Sequence, residues 1–308
     1  MGTVDVVKIN GPISPLRARA IVVGRRAQDV GLQVFRNKTA MAGLIILVFF
    51  TVLALAAPLL APYGPLTPVP NAPPGATPST PGHPFGTNQF GYDIYSQVIW
   101  GTQISLLVGV LAAIVASIVG TVVGLVSGFV GGWIDEVIMR FNDVVLSIPW
   151  LVLMIVVAAR LNYLDLVGII LVIGLTGWSV TARVVRSQVL SLKERMFVER
   201  GRMIGSSNVH LLSRHIFPNA FPLIFANTIL TVAVSILSES VLAFLNLSVK
   251  NNVSWGRIIA EAYEQNALTI GMAPWILVPG LCIVFLVFGF YLFGYALDEI
   301  LNPRLRRR

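Results

Sequence analysis

Six long apolar runs constrain this chain more than any other feature of its sequence. They lie at 39–60, 101–129, 137–159, 164–182, 220–246 and 274–297. Each is long enough to cross the hydrocarbon core of a bilayer, which takes about 20 helical residues. The mean hydropathy of +0.80 and the charged fraction of 12% agree, because soluble domains carry roughly 25% charged residues. We predict an all-α polytopic membrane protein with six transmembrane helices.

The first run has a second interpretation, the core of a signal peptide that would end near Ala54-Leu55-Ala56. The basic segment before it is about 38 residues long, longer than the n-region of a signal peptide. We therefore favour an uncleaved first transmembrane helix.

Lysine and arginine predict the orientation of the runs. With an inside N-terminus, only Arg160, Lys250 and Arg257 of the 22 basic residues fall outside. Cytoplasmic loops are enriched in these residues, so both termini and the loop between the fourth and fifth runs are expected in the cytoplasm. This distribution of basic residues beside the apolar runs also accounts for the net charge of +8. The basic residues flank apolar runs and form no basic face, so we expect no nucleic-acid partner.

Residues 62–84 hold nine of the eighteen prolines and no Asp, Glu, Lys or Arg. Proline lacks the backbone N–H that helices and central strands need, so we expect an extended external loop. It is interpreted either as a spacer or as a docking surface for an external partner.

Small and ionisable residues inside the runs give weaker signals. Gly120, Gly124 and Gly128 share one helix face, which indicates close packing or a sliding contact. Pro149 is expected to kink the third helix. Arg140 and Asp143, three residues apart, are expected to pair. Glu239 is expected to be satisfied by Ser238, Ser240 or a neighbouring helix.

The sequence gives no sign of catalysis. None of the four lysines stands in a phosphate-binding Gly-Lys-Ser/Thr motif, and no Gly-x-Ser-x-Gly nucleophile motif occurs. His210 and His215 are five residues apart, a poor spacing for one metal on one helix. The single Cys282 permits no internal disulfide. We therefore predict neither an enzyme nor a metal site.

The loop after the fourth run is charged but carries an apolar stripe formed by Leu192, Met196 and Met203, widened by Phe197 and Ile204. This pattern predicts a short amphipathic helix. Gly205 should stop it, and Ser206 or Ser207 should cap a second short helix that ends at Pro218. A partner that binds this pair would tilt the fourth and fifth transmembrane helices together.

Several ordered motifs resemble the dipeptide/oligopeptide/nickel family of ABC importer permeases, in particular its C-type subunit. The spacing of Glu199, Gly205 and Pro218 matches the family's EAA loop, although this chain has Glu199-Arg200-Gly201 in place of Glu-Ala-Ala. The other matching stretches are Phe85–Asn88, Gly91–Asp93, Trp100–Leu106, Gly131–Asp135, Met139-Arg140, Asp143, Pro149, Arg214–Asn219, Leu237–Glu239, Ser254–Gly256 and Asn302–Arg306. The resemblance covers nearly the whole chain from about residue 30.

This resemblance implies a MetI-like core of five helices with one N-terminal flanking helix. The expected units are a cytoplasmic tail (1–38), a first helix (39–60), a proline-rich loop (61–98), the permease core (99–298) with its coupling loop (190–218), and a basic tail (299–308). It implies a location in the inner or plasma membrane of a prokaryotic cell.

The resemblance also implies which residues act. Those expected to dock an ATPase are Arg195, Met196, Phe197, Glu199, Arg200, Arg202, Met203, Ile204, Gly205 and Ser206. His215 and Pro218 would form the junction with the fifth helix. Arg140, Asp143, Pro149 and Glu239 would have structural or gating roles.

The implied partners are a B-type permease, two ABC ATPase subunits and an extracytoplasmic substrate-binding protein. ATP and Mg²⁺ would bind the ATPases, and this chain would bind no cofactor. Dipeptides or oligopeptides are the expected cargo, with oligosaccharides, nickel or glutathione as alternatives. A stand-alone channel or ion-coupled carrier is a second hypothesis, disfavoured by the sparse intramembrane charge. An intramembrane hydrolase is a third, remote because a paired nucleophile and base are missing.

Overall fold

The structure, a computed structural model, describes residues 28–70, 73–75, 77–78, 80–161, 165–249 and 252–301. Most of the basic N-terminal tail, Lys250 and the Asn302–Arg306 motif lie outside these residues. Helices dominate the described residues, and only two isolated β-bridges occur among them. The predicted all-α class is confirmed. The helices are α1 (28–36), α2 (Lys38–Leu55), α3 (Ala57–Leu60), α4 (Ile94–Val130), α5 (Gly132–Ser147), α6 (Trp150–Arg160), α7 (Leu166–Thr176), α8 (Trp178–Lys193), α9 (Met196–Met203), α10 (Asn208–Leu211), α11 (Phe217–Phe244), α12 (Trp255–Glu264) and α13 (Pro274–Leu301).

The apolar runs fold in two different ways. Four become continuous helices long enough to span a bilayer, namely α2, α4, α13 and a helix that extends α11 back to Asn208. Two become bent pairs, α5 with α6 and α7 with α8. The described residues therefore contain six spans if each bent pair crosses once. At about 1.5 Å per residue, the 37 residues of α4 measure roughly 55 Å, well beyond a ~30 Å hydrocarbon core.

The third run differs from its prediction. We expected one helix kinked at Pro149, but α5 and α6 meet at 86°. Ile148 has an extended backbone (φ −84°, ψ 126°), as does Pro149 (φ −52°, ψ 117°). A residue before proline disfavours the helical region, so two consecutive residues leave the helix and the chain turns sharply. The expectation of a kinked single helix was wrong.

The fourth run also differs. It was expected to end near residue 182, but a 44° bend at Gly177 leads into α8, which continues to Lys193. The second half remains helical despite its charge because its apolar side, including Val185 and Val189, is buried.

The glycine face of α4 packs against α8. A Cβ atom placed on Gly120 or Gly124 would lie 2.6 Å from a backbone oxygen of that region, and one on Gly128 would lie 2.9 Å from Val189 Cβ. These distances leave no room for a side chain. The packing role predicted for the three glycines is confirmed.

The flanking helix α2 packs against α13 in the same manner. A Cβ on Gly43 would lie 2.6 Å from the backbone nitrogen of Phe293, and one on Gly289 would lie 2.7 Å from Ile46 Cγ2. The first helix is thus packed tightly against the last one.

The proline-rich segment and α12 together cover the end of the bundle where α4 begins, which we call the capped end (57–93 and 245–273). Trp100 Nε1 donates to Tyr63 O at 3.0 Å, and Gln97 Nε2 donates to Pro65 O at 3.2 Å. His83 Nδ1 lies 2.9 Å from Asp93 Oδ1, and both side chains are buried. The segment contains no helix beyond Leu60 among its described residues, as expected. Its conformation is folded back on the bundle rather than extended.

Candidate coupling site

The segment between α8 and α11, which we call the coupling segment, forms two short helices at the end of the bundle opposite the capped end. The first, α9, begins after Arg195, whose carbonyl accepts from Val198 N at 2.8 Å. The helix stops at Gly205, which has φ +80°. Ser206 N donates to Gly201 O and Gly205 N to Arg202 O, both at 3.0 Å, the paired bonds of a Schellman motif. The predicted glycine stop is confirmed.

The second short helix, α10, is capped by Ser207, whose side chain accepts from His210 N at 3.3 Å. Of the two serines proposed as the cap, the structure selects Ser207. Ser206 is half-buried and contributes its backbone N–H to the Schellman motif instead.

The inner face of this segment is anchored to the bundle. Val198, Leu211 and Ile216 are fully buried in a cluster with Val189 and Ile224. This cluster joins both short helices to α8 and α11, so a displacement of the segment is transmitted to both of these helices.

Gly201 is one of the two positions, with Arg200, at which this chain departs from the Glu-Ala-Ala pattern. A Cβ atom at this position would lie 2.6 Å from Leu211 Cδ2. In the present arrangement Leu211 of the second short helix therefore occupies the space beside the α9 backbone, and a side chain at 201 would require Leu211 to move.

The outer face of the segment is an exposed apolar surface. Met196, Met203, Ile204 and Val209 expose 66%, 77%, 83% and 76% of their surface, and Phe197 is also exposed. We call these five residues the coupling patch. Four apolar side chains this exposed on one short segment indicate a protein-binding surface. Leu192, expected in the same stripe, is instead buried at the end of α8.

Charged side chains surround the coupling patch. Glu199, Arg200 and Arg202 are exposed. Within the described part of the chain none of the three forms an ion pair. They remain available to a partner, where exposed pairs contribute roughly 0–1 kcal/mol each.

The junction with α11 contradicts one expectation. We expected Pro218 to end the second short helix, but the helix continues through a wide π-turn at Leu212–Ile216 into α11. Phe217 N donates to Leu212 O, five residues back. The π-turn accommodates Pro218, which offers no N–H and whose ring would crowd the preceding turn. Asn219 Nδ2 donates to His215 O at 2.6 Å, a side-chain bond within the same turn of the helix.

A bidentate ion pair connects α8 to α5 above the coupling segment. Arg186 Nε and one terminal nitrogen each lie 2.6 Å from an oxygen of Asp135. The Asp135 side chain is 14% exposed. The sequence does not predict this pair, because Asp135 and Arg186 are 51 residues apart.

The expected pairing of Arg140 with Asp143 was wrong. Asp143 accepts from Arg183 of α8 instead, and Arg140 lies 3.6 Å from Glu136 on the exposed side of α5. The spacing between Arg140 and Asp143 permits contact, but Arg183 approaches from a packed neighbouring helix. The Arg183–Asp143 pair, like the Arg186–Asp135 pair, ties α5 to α8.

Of the three options for Glu239, a neighbouring helix supplies a hydrogen bond to one of its oxygens, while Oε1 has no partner among the described residues. Glu239 is 1% exposed in α11, and Ser105 Oγ of α4 donates to its Oε2 at 3.3 Å. The same Ser105 oxygen accepts from Trp255 N at 3.2 Å, at the start of α12. Ser238 and Ser240 donate to their own helix. Glu239 thus holds α4, α11 and α12 together near the capped end.

The sequence matches known protein families over most of its length. Residues 120–307 match the binding-protein-dependent transport system inner membrane component family, and residues 26–74 match the N-terminal TM domain of oligopeptide transport permease C. The first match covers more than half of the chain. The chain belongs to this permease family.

Individual relatives agree over most of the permease's length. It is 36% identical over 282 residues to the oligopeptide transport system permease protein OppC of Bacillus subtilis, covering 91% of this chain and 90% of that protein. It is 34% identical over 278 residues to the dipeptide transport system permease protein DppC of Alkalihalophilus pseudofirmus (89% and 88%). OppC of Escherichia coli K12 is 35% identical over 281 residues (91% and 91%). The resemblance inferred from the motifs is confirmed.

Proposed function

We propose that this permease is the C-type subunit of an ATP-driven importer of dipeptides or oligopeptides. It forms the translocation pathway with a B-type permease, and two ABC ATPases drive it through the coupling patch. An extracytoplasmic binding protein delivers the substrate. ATP and Mg²⁺ bind the ATPase subunits, and the permease itself catalyses no reaction.

The coupling patch carries this proposal. It presents Met203 and Ile204, 77% and 83% exposed, on a segment anchored by Val198 and Leu211. Because this apolar surface is anchored to the bundle, it can bind a groove of a partner and move the attached helices when the partner changes shape. The polar residues around the coupling patch, which include Arg195 and Glu199, fix the position of the ATPase on this surface.

The proposed orientation places the coupling patch in the cytoplasm, together with both termini, and the capped end outside. Its support is the lysine and arginine distribution, with the described basic residues Arg183, Arg186 and Arg202 all on the coupling side of the bundle. The membrane is the inner or plasma membrane of a prokaryotic cell.

The substrate class rests on relatives whose names specify dipeptide or oligopeptide transport. Uptake of labelled dipeptides and tripeptides by proteoliposomes that hold both permeases, the ATPases and the binding protein tests it. We expect saturable, ATP-dependent peptide uptake. Uptake of nickel, glutathione or an oligosaccharide in place of peptides would assign the cargo differently, and transport by this chain alone would refute the coupled mechanism.

A double substitution tests the coupling patch. Met203→Ser with Ile204→Ser removes two side chains that each contribute about 1.5–3 kcal/mol when fully buried. The combined loss of about 3–6 kcal/mol weakens the binding of ATPase by roughly 10²- to 10⁴-fold, since 1.4 kcal/mol is tenfold. Titration of detergent-purified permease pair with ATPase measures this affinity.

The matched control is Leu59→Ser. Leu59 is 89% exposed, as apolar as Ile204, and lies at the capped end. This variant should bind ATPase as the unsubstituted permease does. If the double variant and the control bound ATPase with equal affinity, the coupling patch would not be part of the ATPase interface.

A further inference from the structure

A partly open cavity of about 450 Å³ lies where the two bent pairs face α11. Pro149 lines it at the α5–α6 bend, Gly177 lines it at the α7–α8 bend, and Asn227 and Thr231 line it from the middle of α11. The three elements come from separate parts of the chain. The cavity is therefore a product of the tertiary fold, not of one loop.

The two bends account for the position of this cavity. Irregular backbone at membrane depth is tolerated where it is buried in protein or lines a water-filled cavity. Broken helices in transporters typically surround the substrate path for this reason. The 86° bend at Ile148 and Pro149 and the 44° bend at Gly177 both lie at the cavity wall, opposite α11.

The polar groups of the cavity are neutral. Ser179 is 2% exposed, and its hydroxyl lacks a hydrogen-bond partner in the described part of the chain. Asn227 Nδ2 donates to Thr181 Oγ1 at 3.0 Å. Thr231 Oγ1 donates to Asn227 O at 2.9 Å and keeps its own lone pairs as acceptors. No Asp, Glu, Lys, Arg or His is found among the lining residues, and most of the wall is aliphatic.

This chemistry disfavours a metal ion as the cargo and is compatible with a peptide. A transition metal ion prefers imidazole, thiolate or carboxylate ligands, and the described cavity wall contains none of these groups. A peptide main chain offers amide N–H and C=O groups that match neutral hydroxyls and an amide. Aliphatic walls accept side chains of varied shape, and an uncharged wall neither retains nor repels charged ones. The volume falls within the ~300–1,000 Å³ of small-ligand sites.

We propose that this cavity is the permease's own contact site for the peptide main chain during passage, with Ser179, Asn227 and Thr231 as its hydrogen-bonding residues. The proposal rests on the proposed function and assigns its substrate class to residues of the pathway. Binding there is weak, as a pathway that releases its cargo requires.

Two threonines of α11 provide a matched test. Thr231 lines the cavity and Thr228 does not, yet both are half-buried and donate to the carbonyl four residues earlier. Thr231→Val should reduce peptide uptake per ATP hydrolysed by about twofold to tenfold, the range of one net hydrogen bond. Thr228→Val should leave this ratio unchanged. Both variants should keep ATPase stimulation by loaded binding protein.

Cysteine labelling tests the same site without relying on transport. In a Cys282→Ser background, which removes the single native thiol, a Thr231→Cys variant of the full complex should react at least tenfold faster with a charged, water-soluble thiol reagent than a Thr228→Cys variant. A transported dipeptide, supplied on the binding protein with the complex trapped by vanadate, should slow that reaction.

The outcomes separate the two proposals. Absence of peptide uptake by the unsubstituted complex would overturn the proposed function. Normal peptide uptake, together with equal labelling of the two threonine positions or equal uptake by the two valine variants, would overturn the contact site alone. Labelling of the Thr231→Cys variant that peptide does not slow would show an aqueous cavity that the cargo bypasses, which also refutes the site.

Discussion

Replacing Gly124 with alanine should destabilise the permease, although alanine is the better helix former. A Cβ atom at this position would lie 2.6 Å from Ala182 O, 2.8 Å from Val185 Cβ and 3.0 Å from Arg186 N. Two of these contacts are to backbone, which no side-chain rotation can relieve. Overpacking of this kind costs about 1–3 kcal/mol.

The helix propensity of alanine offsets part of this cost, by about 1 kcal/mol relative to glycine. Gly280 of α13 isolates that contribution, because a Cβ atom there meets nothing within 4 Å. The difference between Gly124→Ala and Gly280→Ala cancels the propensity gain. It should therefore equal the overpacking cost, about 1–3 kcal/mol in the free energy of unfolding.

Reversible unfolding of the purified chain in mixed detergent micelles, followed by circular dichroism, measures both variants on one scale. We expect Gly280→Ala to match or exceed the unsubstituted chain and Gly124→Ala to fall below it. If the two variants proved equally stable, α4 and α8 would not be in the close contact described above, and the packing assigned to the glycine face would be wrong.

Three further substitutions test other contacts. Gly205→Ala should cost about 1–2 kcal/mol because φ is +80°, seen as faster amide hydrogen exchange in the coupling segment; unchanged exchange would contradict the left-handed stop. Arg186→Ala should lower the thermal midpoint of unfolding, because the carboxylate of Asp135 loses its guanidinium partner. The double variant with Asp135→Ala should recover part of this loss. Purely additive losses in the two single variants and the double variant would argue against the pair. Glu239→Leu should cost about 1–3 kcal/mol more than Glu239→Gln in micelle unfolding, because only Gln can still accept from Ser105; equal losses would mean that this bond contributes little.

The coupling segment was largely predictable from the sequence because its signals are local. Gly205 stops α9 through its own backbone conformation, and a serine caps the next helix within three residues. The effect of Pro218 and the place of Leu192 in the stripe were mispredicted. A proline normally ends a helix, and nothing in the sequence reveals that a π-turn will accommodate it.

The direction in which the chain turns between helices, and the ion pairs between residues far apart in the sequence, could not be predicted in the same way. An apolar run reports length and composition, and it does not show that Ile148 and Pro149 turn the chain by 86°. Asp143 pairs with a residue 40 positions away, which sequence spacing cannot reveal. The cavity is lined by residues from separate helices that meet only in the tertiary fold, so the sequence could not reveal it.

The uninterrupted helix from Asn208 to Phe244 has a mechanical consequence. It starts in the coupling segment and reaches Glu239 beside the capped end, a length of roughly 55 Å at about 1.5 Å per residue. A rotation of about 5° about one end of this length carries the other end through roughly 5 Å. The π-turn at Leu212–Ile216 and Pro222, both near the coupling patch, are the points where this helix can bend. A rotation that passes them reaches the opposite mouth as a displacement of several ångströms.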